Sequence, residues 1–199
     1  KGRRNLAGHK GSAITVANHV HMMDAPLMSQ AMFPRRPFVT AQQDNLERPI
    51  IGTLVRCLGG VPIPENPRGM MTFLGQLSQE LKHGRLVHFY PEGVLRPYDT
   101  RLMEFKGGAF HLAVDNNVPV IPMVFTYRPP NRFYRLFGRK KPLFNLTVLP
   151  PIYPDNNLPR RHRMQDMKER AYEAMQAVID QSMGRNRQES QQPPASMQI

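Results

Sequence analysis

The sequence predicts a single α/β domain with a largely parallel sheet flanked by helices. Three observations lead there: six short, apolar, β-branched stretches recur along the chain, segments of helical period separate most of them, and 199 residues suit one core better than two. The first strand is "SAITVAN" (12–18), followed by a helix over 24–33 and a second strand, "RPFVTAQ" (36–42). A helix over 47–58 has Pro49 in its first turn, Ile50, Ile51, Leu54, Val55 and Leu58 as apolar positions, and Gly59-Gly60 as its stop. After the strand "GGVPI" (59–63) comes the clearest helix, 67–83, with Met70, Phe73, Leu74, Leu77 and Leu81 on one face. Asn66 and Pro67 suit its start and Gly84 its end. The strand "RLVHFYP" (85–91), a helix over 106–116, and the strands "VPVIPMVFTY" (118–127) and "FNLTVLPPI" (144–152) follow. Strands that are apolar throughout belong to a sheet covered on both faces. A last helix, from 160 to about 183, carries Met164, Met167, Ala171, Met175 and Val178 on one stripe; packing on the sheet is its first reading, and pairing with a membrane or partner the alternative. No internal repeat is present, the domain is expected to span 1–184, and the polar stretch 185–199 is expected to remain a disordered tail.

The formal charge of +12 calls for an anionic partner: nucleic acid, a phospholipid surface, or an acidic carrier with its phosphate-bearing cofactor. Cys57 is the one cysteine, which excludes an internal disulfide. No stretch of 18 apolar residues exists, so no helix in this sequence is expected to span a bilayer. The chain begins at Lys1, and an anchoring segment upstream of it is compatible with the sequence.

In "ANHVHMMDAPLM" (17–28), His19 and Asp24 sit where the first strand hands over to a helix. The carboxyl ends of strands are where open α/β sheets place ligands. A carboxylate that holds one imidazole nitrogen fixes the tautomer and stabilises the imidazolium, making the other nitrogen a general base. This is a His–Asp pair without a protein nucleophile, so the substrate's own hydroxyl or amine would attack an activated acyl group. Two other readings use the same residues. Asp24 can be the cap of the following helix, with Pro26 in its first turn and His19 a loop residue. Alternatively His19, His21 and Asp24 can bind zinc, although a His-x-His-x-Asp-His metallo-hydrolase pattern would need Asp and His where Met23 and Asp24 stand.

Together with three blocks downstream, this stretch resembles the lysophospholipid acyltransferase family, the glycerolipid acyltransferases that include 1-acylglycerol-3-phosphate acyltransferase. "NHVHMMD" is similar to the family's His-four-residues-Asp block, and "LGGVPIPEN" (58–66) stands where its second block lies. "FYPEGVLRPYDTRLMEFKGGA" (89–109) is similar to a Phe-Pro-Glu-Gly-Thr-Arg run followed by Phe-Lys-x-Gly, and "VPVIPMVF" (118–125) to a Val-Pro-x-x-Pro strand. The resemblance implies an O-acyltransferase of phospholipid biosynthesis that moves a fatty acyl group from acyl-CoA or acyl carrier protein to a lyso-lipid hydroxyl. It implies His19 as base, Asp24 as its orienting partner, and no metal or other cofactor. A thioester already carries a good leaving group, so positioning, one base and oxyanion stabilisation can be sufficient.

The departures bear on the acceptor. Where the family carries an arginine near the end of its second block, this chain has Pro64-Glu65-Asn66, and the Thr-Arg after Glu-Gly is replaced by Val94-Leu95, with Arg96 one place later. An arginine fork is the natural holder of a phosphate monoester. Arg68 and Arg96 are therefore candidate substitutes, and an acceptor without that phosphate, a lyso-aminolipid or glycolipid, is the alternative. Glu92 and Gly93 are expected to bind acceptor or shape the site, and Lys106 to hold donor phosphate at a helix start. His88 and His111 are read as structural. Met22, Met23, Met28 and Met32 are read as core filling, with an acyl-chain groove as the alternative. Residues 128–141, "RPPNRFYRLFGRKK", carry six positive charges interleaved with Phe133, Tyr134 and Phe137. Beside lipid chemistry that run suits an anionic membrane surface, with no nucleic acid expected, and places the protein on the cytoplasmic face of the cell membrane, peripheral or anchored by a segment before Lys1. A zinc-dependent hydrolase and a non-catalytic lipid-binding domain are the readings from other classes.

Overall fold

A computed structural model of the chain describes residues 1–43, 47, 49, 51–128 and 142–191. In chain order the elements are α1 (Arg3–Ala7), β1 (Ala13–Ala17), α2 (Asp24–Met32), β2 (Phe38–Gln42), α3 (Ile51–Cys57), β3 (Gly60–Ile63), α4 (Pro67–Lys82), β4 (Leu86–Phe89), α5 (Gly108–Asp115), β5 (Val120–Arg128), β6 (Leu143–Val148) and α6 (Arg160–Gln191). Among the described residues six strands form one sheet, ordered β3-β2-β4-β1-β5-β6. Every neighbouring pair is parallel except β5 with β6, which runs antiparallel at one edge. The strand expected over 144–152 stops at Val148, and Ile152 returns to make one isolated bridge with Val120.

Alternation along the strands sorts the core into two layers. Ile14, Val16, Val87, Val120 and Val124 face α4, α5 and α6, whose Phe73, Leu77, Leu81, Phe110, Met167 and Met175 close over them. Ala13, Ala17, Leu86, Ile121, Met123 and Phe125 face the other way, under Leu6 of α1 and Met28 and Met32 of α2. Asn66 caps α4 through a 2.6 Å bond from the Gly69 N–H, with Pro67 in its first turn. The apolar stripe of α6 packs on the sheet, with Met167, Ala171, Met175 and Ile179 fully buried. That helix runs past 183 to Gln191, and residues 192–199 lie outside the described residues. Most of the basic run also lies outside them: only Arg128, at the end of β5, is described. Helix α1 was not expected, because "RRNLA" offers a single large apolar residue and so no readable period.

With β1 to β5 parallel, their carboxyl ends share one edge of the sheet. The chain leaves β1 to build β2 and β3 on one side, returns through β4, and then places β5 on β1's other flank. The residues after β1 and β4 meet at this change of direction, where a crevice is expected.

Candidate active site

Asn18, the residue after β1, extends the sheet with its side chain. Its Nδ2 donates to Phe125 O at 3.0 Å and its Oδ1 accepts from Phe125 N at 2.8 Å, so the β1–β5 pairing continues while the β1 backbone turns away. His19 is thereby delivered to the sheet edge. Asp24, the first residue of α2 and fully buried, gathers the loop onto one oxygen. Its Oδ2 accepts from His19 Nδ1 at 3.0 Å, from Val20 N at 2.7 Å and from His21 N at 2.8 Å. The capping expectation is corrected: Met23 holds the cap position and no side chain caps α2, while the Asp24 carboxylate, on the first helical residue, reaches back to tie the turn and orient the His19 ring. With Nδ1 committed to Asp24, Nε2 is the nitrogen left to take a proton.

Tyr90 stacks on the His19 ring at 4.0 Å between centroids and meets His88 edge-on at 4.6 Å. His88 is buried against Thr15, Nδ1 to Oγ1 2.9 Å. Burial, with the nearby His19 second, lowers its pKa to about 3 although the bond to Thr15 pulls upward, so it stands as a neutral structural residue. The Tyr90 hydroxyl is pushed well above its ordinary range by burial and by the charge of Asp24. Tyr90 OH and Asp24 Oδ1 are buried and have no hydrogen-bond partner among the described residues.

The loop after β4 is laced to the His19 loop, Arg96 N donating to His19 O at 2.9 Å and Tyr98 N to Val20 O at 3.0 Å. Glu92 lies inside this junction, 6% exposed, with Oε1 unpartnered among the described residues. Burial pushes its carboxyl up to about 7, against the charge of Arg96 and the Met103 backbone, which pull it down. Gly93 adopts φ 70, a left-handed backbone, and a Cβ there would stand 2.5 Å from Lys106 Nζ. The left-handed backbone is what favours glycine here, while the lysine end lying across it would have to swing aside for any side chain. Lys106 is exposed in the turn that precedes α5, with its ammonium over Gly93. The Arg96 guanidinium pairs with Asp99, which also holds Arg101 at 2.7 Å.

His19, Met22, Ala25, Val39, Ala41 and Leu95 are among the residues enclosing a cavity of about 290 Å³, which Tyr90, Gly93 and Val94 also line. Arg68 corrects one expectation. It is exposed at the start of α4 and lines a different groove, about 780 Å³, between that helix and Phe38 and Val61. That groove lies under α4, whose Phe73 and Leu77 belong to one core layer, whereas His19's cavity is walled by Ala25 of α2, whose Met28 and Met32 belong to the other, and the two share no lining residue. Met28 and Met32 are core residues, whereas Met22 lines the cavity and Met23 is exposed. His111 is exposed beside Gly107. His21 does not join His19 and Asp24: its Nδ1 accepts from Met23 N at 3.0 Å and its ring packs on Phe144. Among the described residues no group of three or more His, Cys, Asp or Glu side chains is placed to hold a metal ion. Asn18, Tyr90 and Asp99 were given no role from sequence, though all three lie inside blocks on which the resemblance rests.

Residues 1–126 match the family model described as Acyltransferase. The chain is 32% identical over 125 residues to the chloroplastic 1-acyl-sn-glycerol-3-phosphate acyltransferase BAT2 of Brassica napus, covering 62% of this chain and 35% of that protein. It is 32% identical over 161 residues to the 1-acyl-sn-glycerol-3-phosphate acyltransferase of Saccharomyces cerevisiae, covering 78% and 51%. The chain therefore spans between about a third and a half of the length of these relatives. In fold it is similar to the crystal structure of the 1-acyl-sn-glycerophosphate acyltransferase PlsC from Thermotoga maritima, with a TM-score of 0.54 at 24% identity, over 87% of this chain and 70% of that one.

Proposed function

The chain belongs to the Acyltransferase family, and from that premise we propose that it transfers a fatty acyl group from an acyl thioester to a hydroxyl of a lyso-phospholipid, the relatives' named acceptor being 1-acylglycerol-3-phosphate. His19 Nε2 takes the proton of the acceptor hydroxyl as its oxygen attacks the thioester carbonyl carbon. Asp24 supports the imidazolium so formed. The tetrahedral intermediate collapses with cleavage of the carbon–sulfur bond, and the departing thiolate receives the proton from His19. No acyl-enzyme ester is needed, because the thioester is already activated. The observation carrying this reading is the 3.0 Å bond from His19 Nδ1 to buried Asp24, beside a cavity with apolar walls. The donor is acyl-CoA or acyl carrier protein, with Lys106 as the candidate cation for its phosphate, and Glu92, Gly93 and Arg96 bound the acceptor side. A location at the cytoplasmic face of the cell membrane, peripheral or anchored, is part of the same proposal.

One observation favours a second reading of the acceptor. Asp99 holds both Arg96 and Arg101, and the positions before Arg96 are Val94 and Leu95, so among the described residues both guanidiniums of this loop are committed to that carboxylate. A phosphate-free acceptor, a lyso-aminolipid or glycolipid, suits that neutralised corner. Labelled acyl-CoA offered with lysophosphatidate and with phosphate-free lyso-lipids decides. Acylation of lysophosphatidate alone removes the second reading, and no acylation of any acceptor removes the first. Full function in His19→Ala would point instead to a lipid-binding domain without chemistry.

A further inference from the structure

Large apolar side chains are left exposed around the mouth of the cavity. Met22 is 60% exposed, Met23 48% and Tyr98 49%, with Val94 and Leu95 also outward. These five come from two loops, but the bonds from Arg96 N to His19 O and from Tyr98 N to Val20 O fasten the loops into one surface. Tyr98 is held outward at some cost: its φ of 64 is left-handed, a conformation a bulky residue rarely adopts, and its ring is braced by Tyr127 at 5.7 Å and by His21 at 5.6 Å. Met22, Val94 and Leu95 line the cavity that holds His19, so the exposed surface and the cavity wall are continuous. The surrounding charge is positive. Arg101 is 76% exposed, Lys106 lies exposed over Gly93, and exposed Arg128 ends β5 one residue beyond Tyr127. The carboxylate among them, Asp99, is shared by two guanidiniums.

We propose that this surface, formed by Met22, Met23, Val94, Leu95 and Tyr98, inserts into the headgroup layer of an anionic phospholipid bilayer and sets the cavity mouth against the lipid. Flexible thioethers and branched aliphatics projecting from loop tips, a tyrosine at their border and flanking cations are the chemistry of that layer, and a chain carrying +12 is drawn to it. A lipid acceptor would then reach His19 without its acyl chain crossing water. The proposal deepens the acyl-transfer reading by assigning the surface through which that site meets its substrate. It differs from the sequence-based expectation, which gave membrane contact to residues 128–141.

Flotation of the 199-residue chain with vesicles tests it, comparing phosphatidylglycerol–phosphatidylcholine mixtures with phosphatidylcholine alone. The variant is Met23→Ser with Tyr98→Asn. Serine is favoured at the helix cap that Met23 occupies, and asparagine tolerates the left-handed backbone at 98, so both changes suit the local fold. The chain should float with the anionic vesicles, and the variant should lose at least about tenfold in partition coefficient, from two half-buried apolar groups. Its activity on a short-chain lyso-lipid dispersed below its micelle concentration should be retained. Equal flotation of variant and parent overturns the proposal, as does failure of the parent to bind anionic vesicles. So does a variant that floats normally but loses binding to an acidic acyl carrier protein, which would make the surface a protein-docking one. Absence of acyl transfer by the parent on dispersed substrates would instead overturn the functional reading, whatever the flotation shows.

Discussion

Asp24→Asn is the sharpest test of the site. In an asparagine the carbonyl oxygen can take the place of Oδ2 and keep the bonds from His19 Nδ1, Val20 N and His21 N, so the turn survives. Its amide nitrogen falls where Oδ1 is buried without a partner among the described residues, at a cost of about 1–3 kcal/mol of stability. Rate suffers more. A unit charge 3.0 Å from an imidazolium contributes about 5.5 kcal/mol at an effective dielectric constant of about 20. That is about four decades of rate as an upper bound. The His19 side chain is 20% exposed, so water reaching it screens part of this, and a loss of about two to three decades in kcat is expected. Thiol release from a medium-chain acyl-CoA measures it, with a thermal melt to show that the variant is folded. Because the two residues act as a unit, Asp24→Asn combined with His19→Ala should be no slower than His19→Ala alone. A folded Asp24→Asn enzyme retaining more than about a tenth of kcat would refute the claim that this carboxylate stabilises a charged base.

Gly93→Ala must hold a left-handed backbone and move Lys106 Nζ, which stands 2.5 Å from the new Cβ; it should lose about 1–2 kcal/mol in a thermal melt and raise KM for the acyl donor. An unchanged KM would remove Lys106 from donor binding. Glu92, with its carboxyl raised to about 7, keeps a proton that an unfolded glutamate releases near pH ~4.3, so stability should fall as pH rises between those values and level off above the higher one. Glu92→Gln should abolish that slope, and parallel melting curves for both proteins at pH 5 and pH 8 would contradict it. The Tyr90 hydroxyl has no partner among the described residues, whereas its ring covers His19. Tyr90→Phe should therefore keep activity and lose no stability, while Tyr90→Ala should drop kcat at least about tenfold; a collapse of activity in Tyr90→Phe would show that the hydroxyl takes part in the chemistry.

What the sequence made legible is what depends on neighbours in the chain. The five-residue strand before His19 and the four residues between His19 and Asp24 are local, and the helix that starts at Asp24 brings the carboxylate back to the ring as the spacing suggested. Asn18 lies inside that same stretch, yet its role depends on Phe125, 107 residues away, and only the β1–β5 pairing reveals it. Arg68 shows the converse. Its charge made it a candidate, but the turn after β3 sends α4 to the face opposite the cavity, and a one-dimensional motif carries no record of face. Asp99 escaped notice because a lone aspartate three residues from an arginine is common, and its meaning comes from gripping Arg101 as well. Helix α1 is fixed by burial of Leu6 against α2 and the sheet rather than by any period of its own.

The Arg96–Asp99–Arg101 cluster also bears on how strongly acceptors can be told apart. Both ion pairs are partly exposed, so neither is worth more than about 1 kcal/mol against water. A phosphate monoester entering near Arg96 would compete with Asp99 for the guanidinium, and Asp99 would keep Arg101. The exchange gives up one charge-assisted contact and forms at most a bidentate pair in its place. The phosphate must also approach a carboxylate that stays where it is. The gain from a phosphate is therefore smaller than two uncommitted arginines would offer, and a phosphate-free headgroup gives up little by lacking one. With weak discrimination by charge, the proposed reading leaves the apolar walls from Met22 to Leu95 to receive the part that both acceptor classes share, the fatty chain. On that reading, selectivity at this site would fall on the length and shape of that chain more than on the headgroup, and a lyso-lipid series varied in chain length at a fixed headgroup would give the larger spread in kcat/KM.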